Sequence, residues 1–184
     1  MSAYVSAIIV AAGGSVRMGI ADSKQFIPLL SRPAIEYTLK AFQNCYLIKE
    51  IIVVCREQDK QRIQTIVDEN GFSKVSNLVL GGASRAESVR NGVEAANEKA
   101  KYYAIHDGAR PLITVEEIQR VVEGRLKQER QLSERQSPTQ LKSLMDSTKS
   151  KALPCVHSSV PFRPHRFLNV NCIDLHLKMQ AIMR

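Results

Sequence analysis

The sequence predicts an α/β fold: a Rossmann-like layered arrangement with a mostly parallel sheet and crossover helices. Short apolar, β-branched runs alternate with segments of helical periodicity along the first 124 residues. The glycine pairs and acidic turns fall directly after the apolar runs, where strands of such a sheet end. The 184 residues, 44% hydrophobic and 24% charged, can bury one core and argue against wholesale disorder. There is no run of about 18 apolar residues, so no transmembrane helix is expected.

Tyr4–Ala11 is apolar and bounded by Gly13 and Gly14, the mark of a buried parallel strand. It carries no basic n-region, so it is taken as a first strand and not a signal peptide. Pro33–Phe42 is helical, with Pro in its first turn and Ile35, Leu39 and Phe42 along one face. Ile51–Cys55 is a second strand. Asp59–Glu69 is an amphipathic helix carrying Ile63, Ile66 and Val67, stopped by Asn70 and Gly71. Val75–Leu80 is a third strand, and Ser84–Lys99 a helix with Val89, Val93 and Ala96 on one face. Tyr102–Ile105 is a fourth strand, and a further helix starts over Val115–Val122. Cys45, Cys55, Cys155 and Cys172 form no C-x-x-C pair and are expected to be reduced, mostly buried thiols.

Three segments carry chemistry, each after a strand. Ala11-Ala12-Gly13-Gly14-Ser15-Val16-Arg17-Met18-Gly19, followed by Lys24-Gln25-Phe26, pairs small residues with two cations. Small residues let backbone N–H groups approach phosphate oxygens, and Arg17 and Lys24 add charge. The spacing fits neither G-x-G-x-x-G nor a G-K-[ST] loop, so neither dinucleotide binding nor a P-loop is supported. The plainer alternative is a surface turn with solvated charges. Gly81-Gly82-Ala83-Ser84-Arg85-Ala86-Glu87-Ser88 turns the chain into a helix whose N-terminus suits an anion or a base edge, or is simply capped by a serine. His106-Asp107-Gly108-Ala109-Arg110-Pro111 puts a carboxylate where a Mg²⁺ ligand would serve a phosphate site; the alternatives are a turn-forming Asp and a structural Arg pair.

In this order and spacing the three segments resemble the 2-C-methyl-D-erythritol 4-phosphate cytidylyltransferase family, over residues 4–123. The resemblance implies a Rossmann-like three-layer nucleotidyltransferase fold, truncated here after about residue 124. It implies transfer of CMP from CTP to the methylerythritol phosphate with release of pyrophosphate, in isoprenoid precursor synthesis, with Mg²⁺ and as a cytoplasmic homodimer. Arg17 and Lys24 would then be catalytic, stabilising charge at the attacked phosphate. Ala11, Ala12, Gly13, Gly14, Gly82, Ala83, Arg85, Ser88 and Asp107 would bind the nucleotide, with Asp107 also the metal ligand. Two positions depart from the family pattern: Ser15 stands where Gly is usual and Gly108 where Ala is usual. Ribitol-5-phosphate cytidylyltransferase, similar in its nucleotide half, is the alternative enzyme. A CTP-binding fragment without activity is the other alternative.

Composition changes abruptly near residue 124. Residues 1–124 hold 15 Lys and Arg against 14 Asp and Glu, whereas residues 125–184 hold 11 against 4. The basic excess therefore belongs to the last third. All 9 glycines lie at or before Gly124, where average usage of about 7% would put roughly four after it. A basic tail can bind nucleic acid, but this one lacks interleaved aromatics and any DNA-binding motif.

One cause accounts for both changes. The family continues with segments resembling T-G-A-A-I, P-V-x-D-T-I-K and Q-T-P-Q-x-F, none of which is present. Take allowed codons for Arg125 to Ser143 and read each last base with the first two of the next codon. F-K-T-G-A-A-I-I-G-A-P-V-T-D-T-I-K-V is permitted throughout. The same shift over Phe162 to Leu168 permits Q-T-P-Q-I-F. Residues 125–184 are therefore read as an out-of-frame tail, expected to be poorly ordered, without the family's dimer arm and acceptor-phosphate grip. An unpaired sheet edge is expected where the sheet is cut short. The nucleotide sequence over residues 118–130 should show a frame displaced from that of relatives. If the displacement is a sequencing error, an independent isolate should lack it; an identical, uninterrupted frame there would contradict that origin.

Overall fold

The structure, a computed structural model, describes residues 3–13, 23–135 and 166–169. Two compact units are distinguished, Met1–Val122 with His165–Arg184, and Glu123–Pro164. In the first unit a parallel five-stranded sheet has the order β5-β4-β1-β6-β7. Its strands are β1 (Val5–Val10), β4 (Ile48–Cys55), β5 (Val75–Leu80), β6 (Tyr102–Asp107) and β7 (Arg166–Asn169). A small hairpin, β2 (Pro28–Leu29) and β3 (Arg32–Pro33), lies between β1 and helix α1 (Ala34–Asn44). Helix α2 (Glu57–Asn70) joins β4 to β5, and α3 (Arg85–Glu94) joins β5 to β6. Helix α4 (Val115–Arg135) follows β6, and its later turns are the described part of the second unit.

β1 is central because it is apolar but for Ser6, whose buried hydroxyl donates to the Glu50 carboxylate at 2.7 Å, and so can be buried on both faces. Val5, Ala7, Ile8 and Ile9 are fully buried, and β1 pairs in parallel with β4 on one edge and β6 on the other. Ile8 faces α3, in a cluster with Ile52, Val54, Tyr103 and Ile105 that Val89 and Val93 cover. On α1, Phe42 meets the His106 ring at 5.3 Å. Gly92 is what lets α3 lie close to the sheet. A Cβ there would stand 2.6 Å from Ile8 Cγ2 and 2.9 Å from Val54 Cγ2.

The expected strands and helices are present, with shifted ends. β4 begins at Ile48, three residues before its expected start, because Ile48 and Glu50 are buried on either side of an exposed Lys49. α3 stops at Glu94 instead of Lys99. The buried Glu50 carboxylate accepts from Asn97 N–H at 3.0 Å, and Asn97 Oδ1 accepts from Lys99 N–H at 3.0 Å. These bonds fix the chain in a turn in place of further helix. The hairpin went unpredicted, since Leu30 and Ser31 both take left-handed backbone angles without the Asn-Gly signal of such turns.

Two expectations for the tail are corrected. Regular structure does not end near 124: α4 runs to Arg135, because Leu126, Lys127, Gln128 and Arg130 are good helix formers. The sheet edge beside β6 is not open either. β7 pairs with it in parallel, from Tyr102 opposite Arg166 to Ile105 opposite Asn169. The rest of the tail lies outside the described residues, as do Cys155 and Cys172; Cys45 and Cys55 are free and buried, and burial raises the Cys55 thiol to about 11. Among the described residues no helix is long and apolar enough to cross a membrane.

Gly92→Val should overpack the α3–sheet contact and lower stability by about 1–3 kcal/mol, as read by denaturant unfolding. An unchanged midpoint would contradict the close approach of α3 to β1.

Candidate functional site

The sheet order reverses direction at β1. The chain steps outward through β4 and β5, then returns to β6 on the other side. Such a switch point opens a crevice beyond the carboxyl ends of the strands. A cleft of about 450 Å³ lies there, in the range of small-molecule sites. Ala11, Ala12 and Gly13 line it from the end of β1, and Lys24 and Gln25 from the short turn after the loop. Gly82, Ala83, Ser84, Arg85 and Ser88 line it from the β5–α3 connection, and Asp107 and Ala109 from the end of β6. Nine of the expected site residues thus share one cleft. Arg17 and Gly14 lie outside the described residues, as does Ser15.

The β5–α3 connection is fixed by its own side chains. Ser84 Oγ accepts from Glu87 N–H at 3.1 Å, and the Glu87 carboxylate accepts from Ala83 N–H at 2.9 Å. This is a capping box displaced by one residue. Of the two readings of this helix start, Ser84 takes the N-cap one. Ser88 is buried; its hydroxyl donates to Ser84 O at 2.9 Å and accepts from Gly82 N–H at 3.1 Å. With its proton committed, Ser88 can only accept from a ligand. Gly81 sits so near β1 that a Cβ would lie 2.3 Å from Ala12 Cβ, which joins the first and second motifs.

Asp107 is the carboxylate of the cleft, and arginines flank it. Arg85 Nη2 lies 3.1 Å from Oδ1, and Arg110 Nε lies 3.2 Å from Oδ2. The Arg85 and Arg110 side chains are 52% and 48% exposed. Pairs this open are worth about 0–1 kcal/mol, so an anion entering the cleft can draw on either guanidinium at little cost. The structural-pair alternative for the third motif is therefore partly realised, since Arg110 does make an ion pair. No group of three or more His, Cys, Asp or Glu suited to a metal occurs among the described residues. One carboxylate suits Mg²⁺ held mainly by the phosphates of a substrate, not a cage built by the protein alone.

Behind the β6 loop stand Thr38, which no motif marks, and His106, a residue of the third motif that is not among the candidate site residues. Thr38 Oγ1 donates to the Gly108 and Arg110 carbonyls at 3.2 and 3.3 Å. His106 is 2% exposed, and its Nε2 lies 3.2 Å from Arg110 O. A carbonyl only accepts, so the proton is assigned to Nε2. Nδ1 is buried without a hydrogen-bond partner. The residues missed by sequence reading are buried polar groups that hold the loops from behind. Nothing in their spacing sets them apart from core or helix positions.

Fold and cleft define a Rossmann-like α/β domain with its ligand site at a switch point of a parallel sheet. The 2-C-methyl-D-erythritol 4-phosphate cytidylyltransferase (IspD) family model matches residues 5–133, and the chain belongs to that family. It is 43% identical over 115 residues to the enzyme of that name from Alkaliphilus oremlandii, covering 62% of this chain and 49% of the relative. It is 39% identical over 124 residues to that of Alkaliphilus metalliredigens, covering 67% and 52%. The chain thus spans about half the length of the curated relatives it matches. A crystal structure of 4-diphosphocytidyl-2C-methyl-D-erythritol synthase from Anaerococcus prevotii superposes with a TM-score of 0.56 at 27% identity, covering 67% of this chain and 51% of that one. The bifunctional IspDF of Campylobacter jejuni gives 0.53 at 27% identity, covering 65% and 30%.

Burial lowers the His106 pKa from its ordinary value, although the Arg110 carbonyl and Asp107 pull the other way. The unfolded chain therefore takes up this proton first as pH falls. Stability from neutral His106 should be complete above about pH 6.5 and decline below it. Thermal midpoints measured between about pH 7 and 5 should fall more steeply for the wild type than for His106→Gln. Equal slopes would contradict this account.

Proposed function

We propose that this chain is the CTP-binding part of an enzyme that transfers CMP to the phosphate of 2-C-methyl-D-erythritol 4-phosphate and releases pyrophosphate. The observation that carries the reading is the convergence of Lys24, Arg85, Asp107 and the small residues Ala11–Gly13 on one cleft. On this reading the small residues after β1 admit the cytosine and ribose close to backbone. An acceptor phosphate oxygen attacks the α-phosphorus of CTP, and pyrophosphate leaves. Negative charge grows on the equatorial oxygens, and Lys24, with Arg17, stabilises it there. Asp107, with the nucleotide phosphates, would hold Mg²⁺, which offsets triphosphate charge. Arg85 and Arg110, now paired with Asp107, are placed to turn to phosphate when Asp107 takes up that ion. Buried free thiols at Cys45 and Cys55 suit a reducing compartment such as the cytoplasm.

A second reading is favoured by the change of composition near residue 124, all 9 glycines lying at or before Gly124 and the basic excess after it. If residues 125–184 are an out-of-frame tail, the acceptor-phosphate grip and the dimer arm are missing. The chain would then bind CTP without turning it over. Pyrophosphate release, measured with CTP, Mg²⁺ and the methylerythritol phosphate, decides between the two when a frame-restored chain is assayed alongside. Turnover by the restored chain alone supports the second reading, and turnover by both supports the first. Lys24→Ala should lower kcat in any active form by about 10²–10³, the usual cost of one charge-stabilising donor. Full activity in that variant would remove Lys24 from the chemistry.

A further inference from the structure

We propose that Asp59, on α2 and outside the cleft lining, is a positioning residue that holds Lys24 and the end of β1 in place through Gln25. The inference takes its Lys24 role from the function proposed above. Asp59 is 6% exposed and Gln25 is 2% exposed. Gln25 Nε2 donates one hydrogen to Ala11 O at 2.7 Å and the other to Asp59 Oδ2 at 3.2 Å. One carboxamide thus ties together the two ends of the loop between residues 11 and 25, beside Lys24. Asp59 Oδ2 also accepts from Ser23 Oγ at 3.0 Å and from Arg56 Nε at 2.8 Å. Arg56 Nη2 bonds Ser23 Oγ as well. Both neighbours of Lys24 are therefore gripped by one buried carboxylate. A second contact from the same helix supports the turn: Arg62 lies over the Phe26 ring, 4.0 Å from its centroid.

An Asp in the first turn of a helix is often there only for the helix dipole. Dipole stabilisation requires no partner from another segment. Asp59 has two, Ser23 and Gln25, 36 and 34 residues away. Without the carboxylate, Arg56 loses its ion-pair partner and Gln25 loses the acceptor that orients it. Ala11 O then loses a donor whose direction was fixed.

The test uses the full 184-residue chain and two readouts. Amide hydrogen exchange is measured without ligand, and CTP–Mg²⁺ affinity is measured by calorimetry. In Asp59→Asn, exchange at Phe26 and Ile27 should rise about tenfold or more, while the amides of β4 and β6 keep their protection. Unchanged exchange at Phe26 and Ile27 overturns the proposal, and so does a uniform rise across the sheet. CTP affinity should fall about tenfold in Asp59→Asn, and the Lys24→Ala/Asp59→Asn double variant should bind within about twofold of Lys24→Ala alone. Strictly additive losses would reduce Asp59 to a general stability role and overturn its link to Lys24. Should Asp59→Asn fail to fold, Gln25→Met removes the bridging donors while leaving Asp59 paired with Arg56, and the same outcomes apply. If the wild type binds no CTP, the function reading fails, and the exchange arm alone decides whether Asp59 positions the turn.

Discussion

β1 is hydrogen-bonded on both edges and buried on both faces, and this constraint organises everything around it. A strand so placed must be apolar or, as at Ser6, have its polar group paired internally with Glu50, so polar groups that face a ligand begin only where it ends. At that end the chain has already turned outward to β4 and must return to β6, which leaves a gap between diverging connections. The loops after β1, β5 and β6 all open into that gap. Gly81 lets the second loop touch the first, and Gly108 lets the third lie 3.1 Å, measured from a would-be Cβ, from Ala11. The cleft is a consequence of topology, and its chemistry is a consequence of which residues follow each strand.

The electrostatics of the cleft are unsettled in a useful sense. Two cations face one carboxylate across half-exposed pairs, and Lys24 enters from a separate turn. A polyanion brings charge that the arginines can satisfy better than a single Asp107 does. The opposite holds behind the cleft. There Asp59, Thr38 and His106, outside the cleft lining, are buried and bonded in fixed geometries. A rigid backing with an exchangeable front is the arrangement that binding a charged, flexible triphosphate calls for.

Much of this was legible in sequence, for identifiable reasons. β1 announces itself because a strand buried on both faces needs a mostly apolar run, here interrupted only by Ser6. The lining residues are legible because close backbone approach needs Ala and Gly, and charge needs Arg, Lys and Asp. The end of α3 was not legible: Glu50, on another strand, captures the Asn97 amide, a tertiary effect outside the reach of helical periodicity. Asp59 could not be told from any polar residue opening an amphipathic helix, since the partners that set it apart, Ser23 and Gln25, are more than 30 residues away. The described residues of the tail are less legible: a helix-forming run carries α4 to Arg135, and four residues suffice for β7 to pair with β6.

The central claim is that the cleft at the carboxyl end of the sheet holds a nucleoside triphosphate. Titrating the isotopically labelled chain with CTP and Mg²⁺ while following backbone amide resonances tests it most directly. The account predicts saturable shifts concentrated at Ala11–Gly13, Lys24, Gly82–Arg85 and Asp107–Ala109, with β4 and the α2 C-terminus unmoved. Shifts confined to the basic residues after 125, or none at all, would contradict it.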